Sequence, residues 1–305
     1  MRTGCAILAV LLLTVGPALA FSAEVVESVV SVLPEWPSDE ALPERPVGSD
    51  TVVLACGYIA TNVHVLGRAT AVNVRLHGGR ILAAKIIGRD PLTDIALLKI
   101  DVDLPPAHPG PEPALGDKVC ALGNPFGLGL SSSCGVVSAL HRTGTGFNPM
   151  EDFIQTDAAV NPGGSGGTLL DGDGRMVGLV SAIFTKDSDA NIGINIAASH
   201  ALVMRVTEDL AAHGRVIRGK SGLRAEDLDD HERAALAGAR ITRATDAAET
   251  TGLAPGDIIT TIASRPIHRA SDITSALHLH RPGEAIAMSF SRDAEGHDTT
   301  LRLAS

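Results

Sequence analysis

No cluster of lysine or arginine interrupts the 305 residues, and 25 basic side chains face 35 acidic ones, for a formal net charge of −10. Nucleic acid and anionic membrane surfaces both demand concentrated positive charge, so neither is an expected partner. No phosphate-binding glycine loop is present and ATP is not implied. His77, His108, His141 and His213 are scattered without ligand spacing, so no metal or other cofactor is expected. Long apolar runs are missing too. The stretch from Ala6 to Val15 falls short of the roughly 20 residues that span a bilayer. Preceded by Arg2 and followed by Gly16-Pro17 and Ala18-Leu19-Ala20, it reads as a secretory signal over residues 1–20, cleaved after Ala20. The chain is then secreted across the inner membrane into the periplasm. The alternative is an uncleaved N-terminal anchor that leaves the chain facing the same compartment.

Cysteine is scarce. Cys56, Cys120 and Cys134 survive cleavage, an odd number in an oxidising compartment. Cys120 and Cys134 flank the turn-rich Gly123-Asn124-Pro125-Phe126-Gly127. If that stretch is a hairpin loop, the two sulfurs face each other as a disulfide; the other reading is two small buried thiols in adjacent strands.

What is present is globular: 45% hydrophobic and 20% charged residues, with 32 glycines set between short apolar runs. Residues 21–47 hold one apolar run, Val25 to Leu33, then prolines at 34, 37, 43 and 46, and read as an N-terminal strand or arm with an irregular connection. Ten short β-branched segments follow: 51–54, 71–76, 81–87, 95–100, 119–122, 135–139, 153–156, 167–170, 176–183 and 191–196. Strands in such number without long helical patterns between them predict an all-β barrel or sandwich pair. The period then changes. Leu202, Val203, Val206 and Leu210 predict a helix over 199–213 that stops at Gly214. After a linker at 214–219, residues 220–305 form a smaller unit with strands at 239–242, 257–262, 285–291 and 299–303. It also carries a helix through Ile273 and Leu277, with Ser271 as its expected N-cap.

Three segments can carry chemistry. In Asn161-Pro162-Gly163-Gly164-Ser165-Gly166-Gly167, a serine stands among glycines that let backbone N–H groups turn inward and a substrate backbone come close. A serine hydroxyl needs a base, and Ala60-Thr61-Asn62-Val63-His64-Val65 supplies an imidazole at the end of an apolar strand. Asp94 opens the apolar run Ile95-Ala96-Leu97-Leu98 and is costly to bury there without a donor; an imidazole N–H is a suitable one. Each segment alone has a bland reading as a glycine turn, a bystander histidine or a turn aspartate. Together, in the order His64, Asp94, Ser165, they match the chain order of chymotrypsin-type proteases.

With Gly88-Arg89-Asp90-Pro91-Leu92-Thr93-Asp94, Leu122-Gly123-Asn124-Pro125-Phe126-Gly127 and Ile154-Gln155-Thr156-Asp157 beside them, these segments resemble the HtrA (Deg) family of trypsin-like serine proteases, closely over roughly 45–210. The resemblance implies a mainly β chain: a chymotrypsin-like double β-barrel over 48–213, followed by a small α+β PDZ domain. The triad would lie in the cleft between the barrels, with an oxyanion hole on the 163–165 backbone (Gly163, Gly164, Ser165), mainly from the Gly163 and Ser165 N–H groups. Gly193, Ile194, Asn195 and Ile196 would line a pocket for small or aliphatic side chains. Gly252-Leu253-Ala254-Pro255-Gly256-Asp257-Ile258-Ile259 resembles a PDZ signature. By the same likeness Ser221, Gly222 and Leu223 would form the carboxylate loop, with the peptide lying beside it and facing Ile273 and Leu277.

The implied partners are unfolded or misfolded envelope proteins as substrates, peptide C-termini at the PDZ domain, and a homotrimer formed through 21–47. Two positions depart from the family pattern. Gly164 stands where asparagine is usual, loosening the turn, and Asp50 stands where glycine is usual, at a position expected to need positive φ. These departures keep a second expectation in play: a catalytically weak or silent binding protein or chaperone of the same fold.

Overall fold

The computed structural model describes residues 21–36, 48–183 and 193–305. The expected signal segment and most of the proline-rich connection lie outside them. A short helix α1 (Ala23–Glu27), capped by the Ser22 hydroxyl, leads into β1 (Val29–Glu35). Then follow β2 (Gly48–Leu54), β3 (Tyr58–Asn62), the single turn α2 (Val63–Leu66), β4 (Ala71–Arg75), β5 (Ile81–Asp90) and β6 (Ile95–Lys99). These six strands close into a barrel in the order β1-β2-β3-β6-β5-β4. The next six repeat the scheme: β7 (Lys118–Gly123), β8 (Ser131–Arg142), β9 (Phe153–Thr156), β10 (Thr168–Leu170), β11 (Met176–Ile183) and β12 (Asn195–Ser199) close as β10-β11-β12-β9-β8-β7.

Residues 29–35, within the segment read as a strand or arm, are a full strand of the first barrel: β1 pairs with both β2 and β4 and completes the closure. Its Val29, Val30 and Val32 are buried, so withdrawing it would reopen a barrel edge. Tyr58–Asn62 is the apolar strand expected to end at His64, and it pairs with β2 and β6.

Period-2 burial explains why strands such as β6 read as unbroken apolar runs. Ala96 and Leu98 face the interior of the first barrel. Ile95 and Leu97, on the other face, join Phe153, Leu179, Ile196, Leu202 and Val206 in a core shared by both barrels. Helix α3 (His200–His213) closes that shared core. Ser199 caps its start by accepting from the Leu202 N–H, and Gly214 ends it in the left-handed conformation. Cys120 and Cys134 stand directly opposite in β7 and β8 and form a disulfide, which decides between the two readings; Cys56 is free and exposed.

The C-terminal unit is an antiparallel sheet of β13 (Leu223–Asp227), β14 (Ala239–Ala244), β15 (Ile258–Ile262), β17 (Ala285–Arg292) and β18 (Glu295–Arg302), with the short β16 (Arg265–Pro266) on β15. One turn of helix, α4 (Asp230–Arg233), follows β13, and α5 (Ala270–His278) packs Ile273 and Leu277 onto the sheet core. Ser271 is not its N-cap. The cap is Arg269, two residues earlier, the Asp272 carboxylate accepts the His268 and Arg269 N–H groups, and the Ser271 hydroxyl bonds Thr143 of the second barrel. No described helix is long and apolar enough to cross a membrane.

Arginines of the small domain clasp buried carboxylates of the barrels. Arg218 pairs with Asp90, Arg265 with Asp152 at 3.0 Å, and Arg281 with Asp209 at 3.2 Å. Burial would raise the Asp152 carboxyl, but hydrogen bonds from His141 and Ser199 and the charge of Arg265 outweigh it and hold the group below its ordinary value. A depressed carboxylate stabilises the fold at neutral pH, and that contribution is lost as pH falls through the lowered value. Arg265→Met should therefore cost about 2 kcal/mol at pH 7. Urea unfolding should show the penalty shrinking toward acid pH; an equal penalty at both pH values would contradict the clasp.

Candidate active site

His64 opens the second half of the β3–α2 corner, where the chain leaves the strand and turns into a single helical turn. Asp94 sits at φ 60°, a left-handed conformation that aspartate tolerates better than most residues. That bend turns both ends of the residue toward His64. The Asp94 carbonyl accepts the Val63 N–H at 3.0 Å and the Asn62 side-chain amide at 3.1 Å. Its carboxylate takes the His64 backbone N–H on Oδ1 at 2.9 Å and the imidazole Nδ1 on Oδ2 at 2.6 Å. A carboxylate facing Nδ1 keeps the proton there, so Nε2 is left with its lone pair. The imidazole is half exposed and the carboxylate largely buried. The base therefore reaches the cleft while its orienter is shielded.

Ser165 lies in the turn between Asn161 and Gly167. The Gly164 N–H closes that turn on the Asn161 carbonyl at 2.8 Å, and Gly167 N–H bonds the Gly164 carbonyl at 3.0 Å. Of the three residues named for an oxyanion hole, Gly164 is thus committed elsewhere. Among the described residues the N–H groups of Gly163 and Ser165 meet no acceptor. The Ser165 hydroxyl donates to the Ser181 carbonyl at 3.2 Å and does not bond His64 in this conformation. Gly164 is not in the left-handed region, and an added Cβ would meet the Asn161 carbonyl at 3.0 Å. The turn therefore keeps its path without a side chain there.

The turn is held from the first barrel by β2. The Ser49 N–H bonds the Ser165 carbonyl at 3.0 Å, the Ser49 hydroxyl bonds the Gly163 carbonyl at 2.7 Å, and the Thr51 hydroxyl bonds the Gly166 carbonyl at 3.0 Å. Sequence reasoning missed this rail, along with Ser181; the only pointer to it was the departure at Asp50. Asp50 does not carry the backbone strain expected of it. It lies in regular strand, and its peculiarity is complete burial.

The expected pocket also needs revision. Ile196 packs into the shared barrel core, and the Asn195 side-chain amide bonds the Ala158 carbonyl at 2.9 Å. The cavity beside the turn, about 210 Å³, is instead walled by Ala121, Leu122, Ser133, Val160, Gly164 and Val180, and Gly193 and Ile194 are not part of that wall. The small domain matches expectation better. A groove of about 160 Å³ is lined by Ser221, Leu223, Ile273 and Leu277 together with Arg218 and His278, while Gly222 supplies the φ 75° bend beneath it.

A trypsin-like peptidase domain matches residues 47–179 and a PDZ domain residues 220–303. The chain is 35% identical over 269 residues to the periplasmic serine endoprotease DegP of Escherichia coli K12, covering 84% of this chain and 56% of that protein. A probable periplasmic DegP-like endoprotease of Chlamydia muridarum is 37% identical over 258 residues, covering 81% and 52%. The solved structure of the HtrA-type protease AlgW with tripeptide superposes with a TM-score of 0.71 at 34% identity, covering 94% of this chain and 97% of that one. The chain belongs to the HtrA family. It spans little more than half the length of the curated HtrA relatives it matches.

In this HtrA chain Gly166 is the tightest point of the turn. At φ 83°, its added Cβ would lie 1.9 Å from the Ser49 carbonyl oxygen. Gly166→Ala should cost at least about 1–3 kcal/mol for the backbone conformation alone, read as a lowered urea midpoint. Unchanged stability would show that β2 does not hold the turn.

Proposed function

We propose that the chain is a serine endopeptidase of the periplasm, working by acyl transfer. The observation that carries the reading is the His64–Asp94 pair, bonded twice and set across the cleft from a serine turn with two unengaged N–H groups. Asp94 holds the imidazole tautomer and stabilises the imidazolium. For attack, the Ser165 hydroxyl leaves the Ser181 carbonyl for His64 Nε2, which takes its proton as Oγ adds to the substrate carbonyl. The Gly163 and Ser165 N–H groups receive the developing oxyanion. His64 then returns the proton to the leaving amine, and water repeats the sequence on the acyl-enzyme.

Val160 and Val180 in the wall of the cavity beside Gly164 favour small or aliphatic side chains before the cleaved bond. Substrates with exposed backbone, unfolded or misfolded envelope proteins, suit a cleft that must admit an extended segment. The residue 1–20 signal and assembly into a trimer belong to the same proposal. The relatives named above are periplasmic endoproteases, which supports the location.

Reaction with a serine-directed fluorophosphonate tests the chemistry. The protein should label and Ser165→Ala should not; labelling of both or of neither would overturn the reading. Asp94→Asn should lower kcat by about 10⁴ by presenting the wrong tautomer, measured on unfolded casein.

At the PDZ groove we infer capture of a peptide C-terminus. β13 is the edge of its sheet, so a peptide can add as a further strand beside it and place its last side chain between Leu223, Ile273 and Leu277. Peptides ending in a free carboxylate should bind at least about tenfold more tightly than their amidated forms, given the strength of charge-assisted hydrogen bonds. Equal affinity by calorimetry would count against the carboxylate loop.

A further inference from the structure

Beneath the nucleophile turn lies a carboxyl group that the reaction does not use. Asp50 is 0% exposed, and neither of its oxygens has a hydrogen-bonding partner; the Thr61 hydroxyl and the Asn62 side-chain amide oxygen nearby on β3 are buried and unpartnered as well. Asp50 stands between the two residues that hold the turn. Ser49 carries the Ser165 and Gly163 carbonyls, and Thr51 carries that of Gly166. Gly166 packs so closely that a Cβ placed there would lie 3.0 Å from Asp50 Oδ1.

We propose that Asp50 is a positioning residue for the nucleophile: its carboxyl supports the Ser165 turn as the neutral acid, and its ionisation displaces the turn. This rests on the protease reading given above.

The neighbours leave the negative charge without compensation. From β1 the carboxyl meets the Val30 and Val32 positions, from β3 Thr61, and from the nucleophile turn Gly166; none of these titrates. The titratable groups on the same elements are engaged elsewhere. Glu35 of β1 accepts from Asn73, the Tyr58 ring on β3 lies under Lys99, and the His64 imidazole on α2 holds Asp94. Burial accordingly pushes the Asp50 carboxyl well above the usual carboxylate range, opposed only in part by the nearby Thr61 hydroxyl and Val32 N–H, neither of which meets it in hydrogen-bonding geometry.

An isolated buried carboxylate is among the costliest groups in a protein interior. Once Asp50 ionises, the strand must open to water or tilt the side chain out. Either movement shifts Ser49 and Thr51, and with them the three carbonyls they hold. Displacing a nucleophile and its oxyanion donors by about 1 Å costs on the order of 10² in rate. The direction in pH follows from the sign of the shift. The folded protein holds the Asp50 proton to higher pH than the unfolded chain does. The site's full contribution is therefore present below the ordinary carboxylate range and is lost as pH rises through the raised value.

The test is the pH profile of kcat/KM, with fluorophosphonate labelling rate as a parallel readout, for the unmodified protein, Asp50→Asn and Asp50→Gly. The unmodified protein should lose activity by about tenfold per pH unit beyond the Asp50 midpoint. Asp50→Asn, which keeps the shape of the neutral acid, should lose that fall. Asp50→Gly, which removes the carboxyl altogether, should lose the fall too, and it decides the matter should the asparagine variant fail to fold. A falling limb that persists in both variants, or is absent from the unmodified protein, overturns the role of Asp50 alone. Failure of the unmodified protein to label at any pH overturns the protease reading and this inference with it.

Discussion

The geometry of this protein hangs on the hydrogen bonds by which β2 of the first barrel grips a turn of the second. The nucleophile turn belongs to the second barrel by sequence, yet three of its carbonyls, those of Gly163, Ser165 and Gly166, are held by Ser49 and Thr51 of β2 in the first. His64 and Asp94 stand on the same first barrel, β3 pairing directly with β2. The consequence is that His64, Asp94 and the Ser165 turn share one rigid reference. Two closed barrels packed only through apolar side chains would fix the cleft less tightly, because apolar contact is not directional. The rail supplies the direction that the shared core of Phe153, Leu179 and Ile196 cannot.

This explains why the three candidate residues were readable in the sequence and the hydrogen bonds around them were not. His64, Asp94 and Ser165 each sit in a local signature set by nearby residues: a strand end, a turn aspartate ahead of an apolar run, a cluster of glycines. Ser49 and Thr51 act over more than a hundred residues of separation, and a serine or threonine in a strand carries no mark of its distant acceptor. The side chains walling the cavity beside the turn were hidden for a related reason. Ile194 and Ile196 alternate as strand residues do, but which face meets the cleft depends on register against β9 and β11, which residue type alone does not encode. Asp50 was noticed as a departure, and its difficulty was assigned to backbone angle. The strand accommodates the angle, and the difficulty is desolvation.

The fold was legible wherever periodicity was clean. Ten of the twelve barrel strands and α3 follow from β-branched runs and a 3.6-residue pattern ending at Gly214. β1 was legible only as a strand or arm because Pro34 lies within it and further prolines follow, and proline in a run argues against a strand. Here Pro34 falls near the strand's end, within the β1–β4 pairing. β3 was legible as the apolar strand that ends at the histidine corner, without its bounds.

The docking of the small domain depends on where burial falls within each ion pair. Asp90, Asp152 and Asp209 have side chains 6%, 1% and 5% exposed, whereas their partners Arg218, Arg265 and Arg281 are 23%, 17% and 41% exposed. The carboxylates are the more deeply buried member of each pair, and without the arginine each keeps only its remaining side-chain partners: Thr93 for Asp90, His141 and Ser199 for Asp152, Arg205 for Asp209. The clasp is therefore asymmetric, with the barrels holding the demand and the PDZ domain meeting it. In a chain of net charge −10 this arrangement spends scarce cations where a missing one costs most. It also ties Arg218, at the mouth of the peptide groove, to Asp90. The Thr93 hydroxyl bonds that same Asp90 carboxylate at 2.6 Å, immediately before the aspartate that orients His64. The groove and the triad thus meet in one short loop of the first barrel, joined by side chains that cannot separate without stranding a buried charge.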